Sequence, residues 1–388
     1  MSIFRGANIV TNGLVFGYDD DIRGRFYKGE PTTNLVPFSE DFSKWGKGGI
    51  YTITSNSGKT PIDTDNATLL YTNTGSNIGI NISCVNGNTY TFSFYAKKYD
   101  SSIIASETNV GALYSLNFNF DTLLLSGTGL NKTYTSVGNG WYRISYSVIA
   151  TTSTTINYYL YGGSGYGSIG TSYIWGAQVE LKSHMTQYIA NGGTRSVTNS
   201  LIDLTKTYTI DLSNMSFNSN CSPTFNGTTN NITLSTSDFN KTNGNPLTIE
   251  CVMKPGRLGG QYQDIIVNKS SLSYNWVLYQ HFIDGSIQLQ GQYENKSAYI
   301  PTIGIWIHVV ATISTSGLYN LYVNGNIVQT IVNYAYYNAT PSLLGIGMNG
   351  ATSEPYLGDI RISKIYNKEL LSSEVMQNYN AYKNRFSI

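Results

Sequence analysis

Short runs of strand-forming residues, each closed by a Gly- or Asn-rich turn, follow one another along almost the whole chain. Thr89 to Lys97 is the clearest run. Tyr90, Phe92, Phe94 and Ala96 fall on one side and Thr91, Ser93, Tyr95 and Lys97 on the other, the period-two pattern of a half-buried strand. Asn86-Gly87, just before it, predicts a two-residue hairpin turn, because both residue types tolerate positive φ. Asp284-Gly285 and Asn324-Gly325 repeat the device. In the second of these, Leu318 to Val323 runs into the turn and Ile327 to Ile331 runs out of it. One helix is predicted: Ser372 as N-cap, then Ser373 to about Ala381, with Glu374 favourable in the first turn. Strands at this spacing build sandwiches rather than βαβ units.

Composition agrees with an all-β fold. Charged residues are 12% of the chain, about half the usual share. Asn, Ser, Thr and Gly supply the polarity instead, and 32 tyrosines supply much of the apolar surface. With 40% hydrophobic and 13% aromatic residues the chain can fill cores, so disorder is excluded. Its 388 residues suffice for two or three of them.

Several function classes fall away. The net charge is +1 and the basic residues are scattered, so there is no electrostatic footprint for nucleic acid. No apolar stretch approaches the roughly 20 residues of a membrane helix. Met1 to Arg5 lacks the apolar region of a signal peptide, which predicts synthesis and assembly in a cytoplasm. Cys84, Cys221 and Cys251 are odd in number and show no metal-binding spacing, so they read as buried thiols.

Catalytic signals are equally sparse. Glycoside hydrolysis needs two carboxyl groups at a working distance. Asp19, Asp20, Asp21 and Asp359 are available, but nothing selects a pair, and Asp19 to Asp21 read as a solvated loop. His184, His281 and His308 are the available histidine bases, and His308 reads as a satisfied sheet histidine. Neither GxSxG nor HExxH is present. Gly162 to Gly170 lacks the Lys and helix of a phosphate loop and reads as a loop between strands.

Two family resemblances organise the chain. Asn34-Leu-Val-Pro-Phe-Ser-Glu-Asp-Phe-Ser-Lys-Trp45, Gly87 to Lys97, Gly138-Asn-Gly-Trp-Tyr-Arg-Ile144, Tyr173-Ile-Trp-Gly-Ala-Gln-Val-Glu180 and Gln187-Tyr-Ile189 resemble, in order, a carbohydrate-binding-module-like jelly roll common in phage structural proteins. Leu247 to Glu250, Trp306 to Thr312, Leu321 to Gly325, Gly358 to Arg361 and Ile365 to Val375 resemble a laminin-G-like (concanavalin A-like) lectin sandwich. A short helix and the Asn380 to Phe386 tail are also typical of phage virion proteins with this domain. Ile9 to Asp19 resembles the first strand of the same sandwich, whose next segments appear only at Asp203-Leu204 and Phe225 to Thr228. The expectation is therefore insertion: residues 1–33 plus 191–388 form the lectin-like sandwich, and residues 34–190 form a jelly roll within one of its loops.

The resemblance implies a non-enzymatic phage virion surface protein: a capsid decoration, head fibre or tail-associated protein with weak, multivalent adhesion to glycans or the host surface. The alternatives are a tailspike-type polysaccharide depolymerase and a bacterial surface adhesin. Implied partners are other virion proteins (major capsid or tail proteins), further copies of the chain and host cell-surface glycans, with no nucleic acid and no membrane. No catalytic residue and no cofactor are expected. Calcium, which some lectin-like relatives bind, is the alternative reading of the Asp19 to Asp21 cluster, and the resemblance assigns no metal ligands residue by residue. Trp141, Trp175 and Trp306 lie within family blocks and read as core. Surface aromatics for stacking on sugar rings are sought outside the blocks, at Tyr166, Tyr274, Trp276, Tyr334, Tyr336 and Tyr337.

Overall fold

The computed structural model describes residues 8–20, 26–165, 167–269, 273–292, 299–348 and 354–388. The chain divides into two compact units, Met1–Glu30 with Val197–Ile388, and Pro31–Ser196.

Among the described residues, the unit Pro31–Ser196 is a sandwich of two six-stranded antiparallel sheets. One runs Leu125–Ser126, Leu113–Asn119, Ile103–Asn109, Thr154–Tyr161, Asn77–Cys84, Gly46–Gly48; the other runs Leu130–Gly138, Trp141–Ile149, Thr89–Lys98, Gly170–Glu180, Thr68–Thr72, Tyr51–Thr54. Tyr90, Phe92, Phe94 and Ala96 enter the core as their alternation predicts. The opposite face of that strand is covered too, because Thr91 Oγ1 donates to the Lys182 carbonyl at 2.8 Å and Arg143 donates to Ser93 Oγ at 3.2 Å.

The expected hairpin at Asn86-Gly87 is corrected. The strands on either side, Asn77–Cys84 and Thr89–Lys98, belong to different sheets, so the turn carries the chain across the sandwich. Local sequence specifies a turn with Gly87 at φ +82°, but not which strand becomes the neighbour. Asn324-Gly325 does form a two-residue hairpin, with φ of 49° and 79° and Val323 opposite Asn326. At Asp284-Gly285 the hairpin is wider, pairing Gln280 with Ile287.

The ends of this unit lie side by side: Thr32–Thr33 pairs with Thr194–Arg195. In the other unit, Lys28 N–H donates to the Ser200 carbonyl at 2.8 Å. Each unit thus brings its own two junction strands together, which is the geometry a loop needs to carry a folded insert.

The unit Met1–Glu30 with Val197–Ile388 is a second sandwich. Among the described residues, its eight-stranded sheet runs Ser216–Phe217, Pro223–Asn226, Leu357–Tyr366, Leu247–Pro255, Ile307–Ile313, Tyr319–Val323, Asn326–Ile331, and Leu14–Asp19 also pairs with Leu357–Tyr366. The five-stranded sheet runs Ile232–Ser235, Leu343–Ile346, Gln263–Lys269, Tyr274–Gln280, Ile287–Gln290. A core including Phe16, Ile249, Trp276, Leu278, Val309 and Ile346 fills the space between the sheets. Cys84, Cys221 and Cys251 are buried thiols.

The C-terminal helix covers the other face of the larger sheet, with Val375, Tyr382 and Phe386 against Val310, Val252 and Ile362. It spans Ser372–Phe386, starting one residue before the expected Ser373 and running beyond Ala381 because Tyr382 and Phe386 have a sheet to pack on. Ser372 is not the cap: its hydroxyl meets Tyr322 at 3.0 Å, and Glu374 Oε2 accepts the Leu371 N–H at 2.9 Å instead.

Beneath the helix lies a buried polar network. Glu250 accepts from Asn378 Nδ2 at 2.8 Å and the Tyr366 hydroxyl at 3.0 Å, and His308 Nε2 is 2.8 Å from its other oxygen. Lys364 Nζ lies 3.6 Å away and donates to the Tyr382 hydroxyl. Burial alone would raise the Glu250 pKa, but Lys364 and the hydrogen bonds outweigh it and hold it at about 2. Lys364 moves the other way for its own charge: burial lowers its pKa by more than the Glu250 and Asp19 carboxylates raise it. His308 is thus a paired sheet histidine.

Asp19 and Asp20 do not form a solvated loop. Asp19 Oδ1 is 2.6 Å from Arg385, and Asp20, 2% exposed, pairs with Arg361 at 3.0 Å. The strand Leu14–Asp19 places them next to Leu357–Tyr366 and the helix end, where guanidinium groups take up their oxygens. Asp21 lies outside the described residues. Asp359 pairs with Lys254 at 2.7 Å.

Candidate functional site

The outer face of the five-stranded sheet carries a cavity of about 200 Å³ lined by Tyr262, Asp264, Lys269, Tyr274, Val277, Tyr279, Gln290 and Glu354. Two β-bulges build it. Between Asp264 and Ile266 the register slips, so Ile265 and Ile266 both enter the core while Asp264, Val267 and Lys269 face out. On the neighbouring strand, Lys269 pairs with Tyr274 and Asn268 with Trp276, leaving Asn275 as the extra residue. Strict alternation would put Tyr274 beside Trp276 in the core. The bulge instead turns Tyr274 outward with Val277 and Tyr279.

Val277 and Tyr279 form the floor, and the Tyr279 hydroxyl donates to Gln288 at 2.8 Å. Tyr262 makes one wall, its ring 5.7 Å from Tyr279 and 4.9 Å from Phe282. Tyr274 makes another, its ring 4.8 Å from Tyr337. Asn275 positions that pair: its Nδ2 donates to the Tyr337 carbonyl at 2.7 Å, and its backbone carbonyl accepts the Tyr337 N–H at 3.1 Å.

The charged groups are unevenly matched. Lys269 Nζ lies 2.9 Å from Glu354 Oε2. Asp264 is 3% exposed, and its Oδ2 has no hydrogen-bond partner among the described residues. Burial, and then the adjacent Glu354 carboxylate, push Asp264 up to about 8. Aromatic walls, an amide and one buried carboxyl oxygen without a partner among the described residues form an arrangement that can hold a small polar ring by stacking and hydrogen bonding.

Of the sequence-selected aromatics, this site brings together Tyr274 and Tyr337, the latter 41% exposed. Three others are corrected. Trp276 is 0% exposed, with its indole N–H on the Phe239 carbonyl at 3.0 Å. Tyr334 and Tyr336 pack in the same core, Tyr336 donating to the Asn245 carbonyl at 2.9 Å. Their spacing carried no sign of direction, and the sandwich interior took them. Tyr166 lies outside the described residues. Trp141 and Trp175 are buried beneath loops, whereas Trp306 is only half-buried, with Lys254 over its ring.

Sequence reasoning missed Tyr262, Asp264, Lys269, Val277, Tyr279, Gln290 and Glu354. A signal was present for the first bulge: the apolar pair Ile265-Ile266 interrupts the alternation, as a bulge does.

Residues 226–376 match the family model of the concanavalin A-like lectin/glucanases superfamily, so the cavity lies on a concanavalin A-like sandwich. No curated protein matches the chain. Among solved structures, the chain is similar to domain 4 of AbnA, a GH43 extracellular arabinanase from Geobacillus stearothermophilus in complex with arabinotriose, at 15% identity and a TM-score of 0.37, covering 47% of this chain and 93% of that one. It is similar to the botulinum neurotoxin serotype G binding domain at 20% identity and a TM-score of 0.35, covering 47% and 48%. It is also similar to the binding domain of Paraclostridial Mosquitocidal Protein 1 at 18% identity and a TM-score of 0.38, covering 47% and 50%. The chain spans about half the length of these two binding domains. Among the described residues no helix is long and apolar enough to cross a membrane.

Proposed function

We propose that this chain is a non-enzymatic carbohydrate-binding protein whose ligand seats in the tyrosine-lined cavity and, more narrowly, that it is displayed in many copies on the surface of a bacteriophage particle. The observation that carries the binding reading is the pair of bulges that turn Asp264 and Tyr274 outward beside Tyr262 and Tyr279. The lectin/glucanase family match over residues 226–376 supports it. The phage setting rests on the sequence resemblance.

Binding without hydrolysis is favoured by the carboxyl geometry. Asp264 and Glu354 are joined through the backbone, Asp264 N–H to the Glu354 carbonyl at 2.9 Å, and the Glu354 carboxylate adds to the burial that raises the Asp264 pKa. Retaining glycosidases hold their carboxyl groups about 5–5.5 Å apart and inverting ones roughly 6.5–9.5 Å apart, with a sugar between. Glu354 is also engaged by Lys269. A shallow site of about 1 mM contributes about 4 kcal/mol, and display in many copies converts such weak sites into firm attachment.

The test is a glycan microarray probed with the chain presented multivalently, repeated with Tyr274→Ala. Binding weakened by that change supports the reading; binding unaffected by it removes the cavity as the site. Release of reducing ends from a bound polysaccharide would replace adhesion with a depolymerase. Mass spectrometry of purified phage particles tests the narrower claim.

A further inference from the structure

Among the described residues that line the cavity, two carboxyl groups face one ammonium. Asp264 and Glu354 both line it, and Lys269, the one ammonium among the described lining residues, sits on Glu354. Asp264 Oδ2 is buried with no hydrogen-bond partner among the described residues. A buried carboxylate needs a counter-charge. Around it stand the rings of Tyr262, Tyr274 and Tyr279, whose faces attract cations, and Gln290, a neutral acceptor. At about 200 Å³ the cavity falls below the roughly 300 Å³ at which drug-sized pockets begin, room for one sugar residue rather than an oligosaccharide.

We infer that the sugar seated here carries a free ammonium group, held against the Asp264 carboxylate and faced by the tyrosine rings. The inference rests on the carbohydrate reading above and narrows it to amino sugars that are not acetylated. Without such a ligand, a proton serves as counter-charge, since burial and Glu354 raise Asp264 to about 8. The incoming ammonium takes that role and the proton leaves to water. An N-acetyl or hydroxyl group can donate to Oδ2 but carries no charge, so the proton stays.

The experiment measures binding of D-glucosamine, N-acetyl-D-glucosamine and D-glucose to the full chain by calorimetry at pH 7.5. Glucosamine is expected to bind about tenfold more tightly than the other two, the scale of one charge-assisted hydrogen bond. Asp264→Asn, which keeps the side-chain shape but removes the charge, should abolish the preference for glucosamine over the two neutral sugars. A second measurement needs no variant. Choline, a permanent cation, should bind about tenfold more tightly at pH 9 than at pH 7, because it requires Asp264 ionised. Equal affinity for the three sugars, or a flat choline profile, overturns the ammonium inference and leaves the carbohydrate reading standing. If none of the three binds and Tyr274→Ala leaves array binding unchanged, both fall together.

Discussion

The side-chain oxygen of Asn378, midway along the C-terminal helix, accepts a 2.7 Å hydrogen bond from the backbone N–H of Val10, 368 positions earlier. The same side chain donates to Glu250 at 2.8 Å and to the Tyr366 hydroxyl at 3.0 Å. One amide therefore joins the start of the chain, the larger sheet and the terminal helix. Asn378→Ala should cost about 2–4 kcal/mol, because it strands a buried N–H and a carboxylate lone pair. Urea unfolding of the full chain checks this, and a loss below about 0.5 kcal/mol, the level of an ordinary surface change, would show that other contacts hold the helix.

Glu250→Gln should be costlier, about 3–5 kcal/mol, since it leaves the buried Lys364 ammonium without its carboxylate. Its pH signature is also defined. The folded pKa of about 2 lies below the ordinary 4.5, so the Glu250 contribution is present above pH 4.5 and is lost as pH falls toward 2. Urea midpoints between pH 5 and pH 2 should fall more steeply for the parent than for the variant.

Asp20 acts in the opposite sense. Burial lifts it from 3.8 to about 7 in spite of Arg361 and Arg385. Its contribution is fully present below pH 3.8 and lost as pH rises through 7. In Asp20→Asn, stability should vary less between pH 4 and pH 8, and an unchanged slope would place the titration elsewhere.

Trp276 and Tyr337 separate packing from binding. Trp276→Ala should cost about 3–5 kcal/mol of stability, the usual range for a buried large aromatic. Tyr337→Ala, at an exposed ring, should stay within about 1 kcal/mol while weakening glycan binding through loss of its contact with Tyr274. Thermal melts and the array, run side by side, would reveal a reversed pattern.

Replacing residues 31–196 with a short Gly/Ser linker should leave the remaining unit folded, because Lys28 and Ser200 already meet at 2.8 Å. Circular dichroism should show one cooperative melt with retained strand signal. A broad, non-cooperative transition would mean that this sandwich depends on the other.

Residue types and local patterning were enough to determine an all-β chain, the Asn324-Gly325 hairpin and the existence of a terminal helix, because turns and strand alternation depend on neighbours a few positions away. They did not determine direction or partnership. Asn86-Gly87 was legible as a turn, but the strand beyond it joined the opposite sheet. Ser372 had the chemistry of a cap, yet Tyr322 took its hydroxyl and the sheet beneath lengthened the helix. Tyr274 and Trp276, two positions apart, would share a face in a regular strand; the extra residue Asn275 sends one outward and buries the other. Asp264 and Glu354, 90 positions apart in sequence, meet where Asp264 N–H bonds the Glu354 carbonyl at 2.9 Å. Such contacts between distant segments are a property of the folded sheets, and tertiary structure alone decided them.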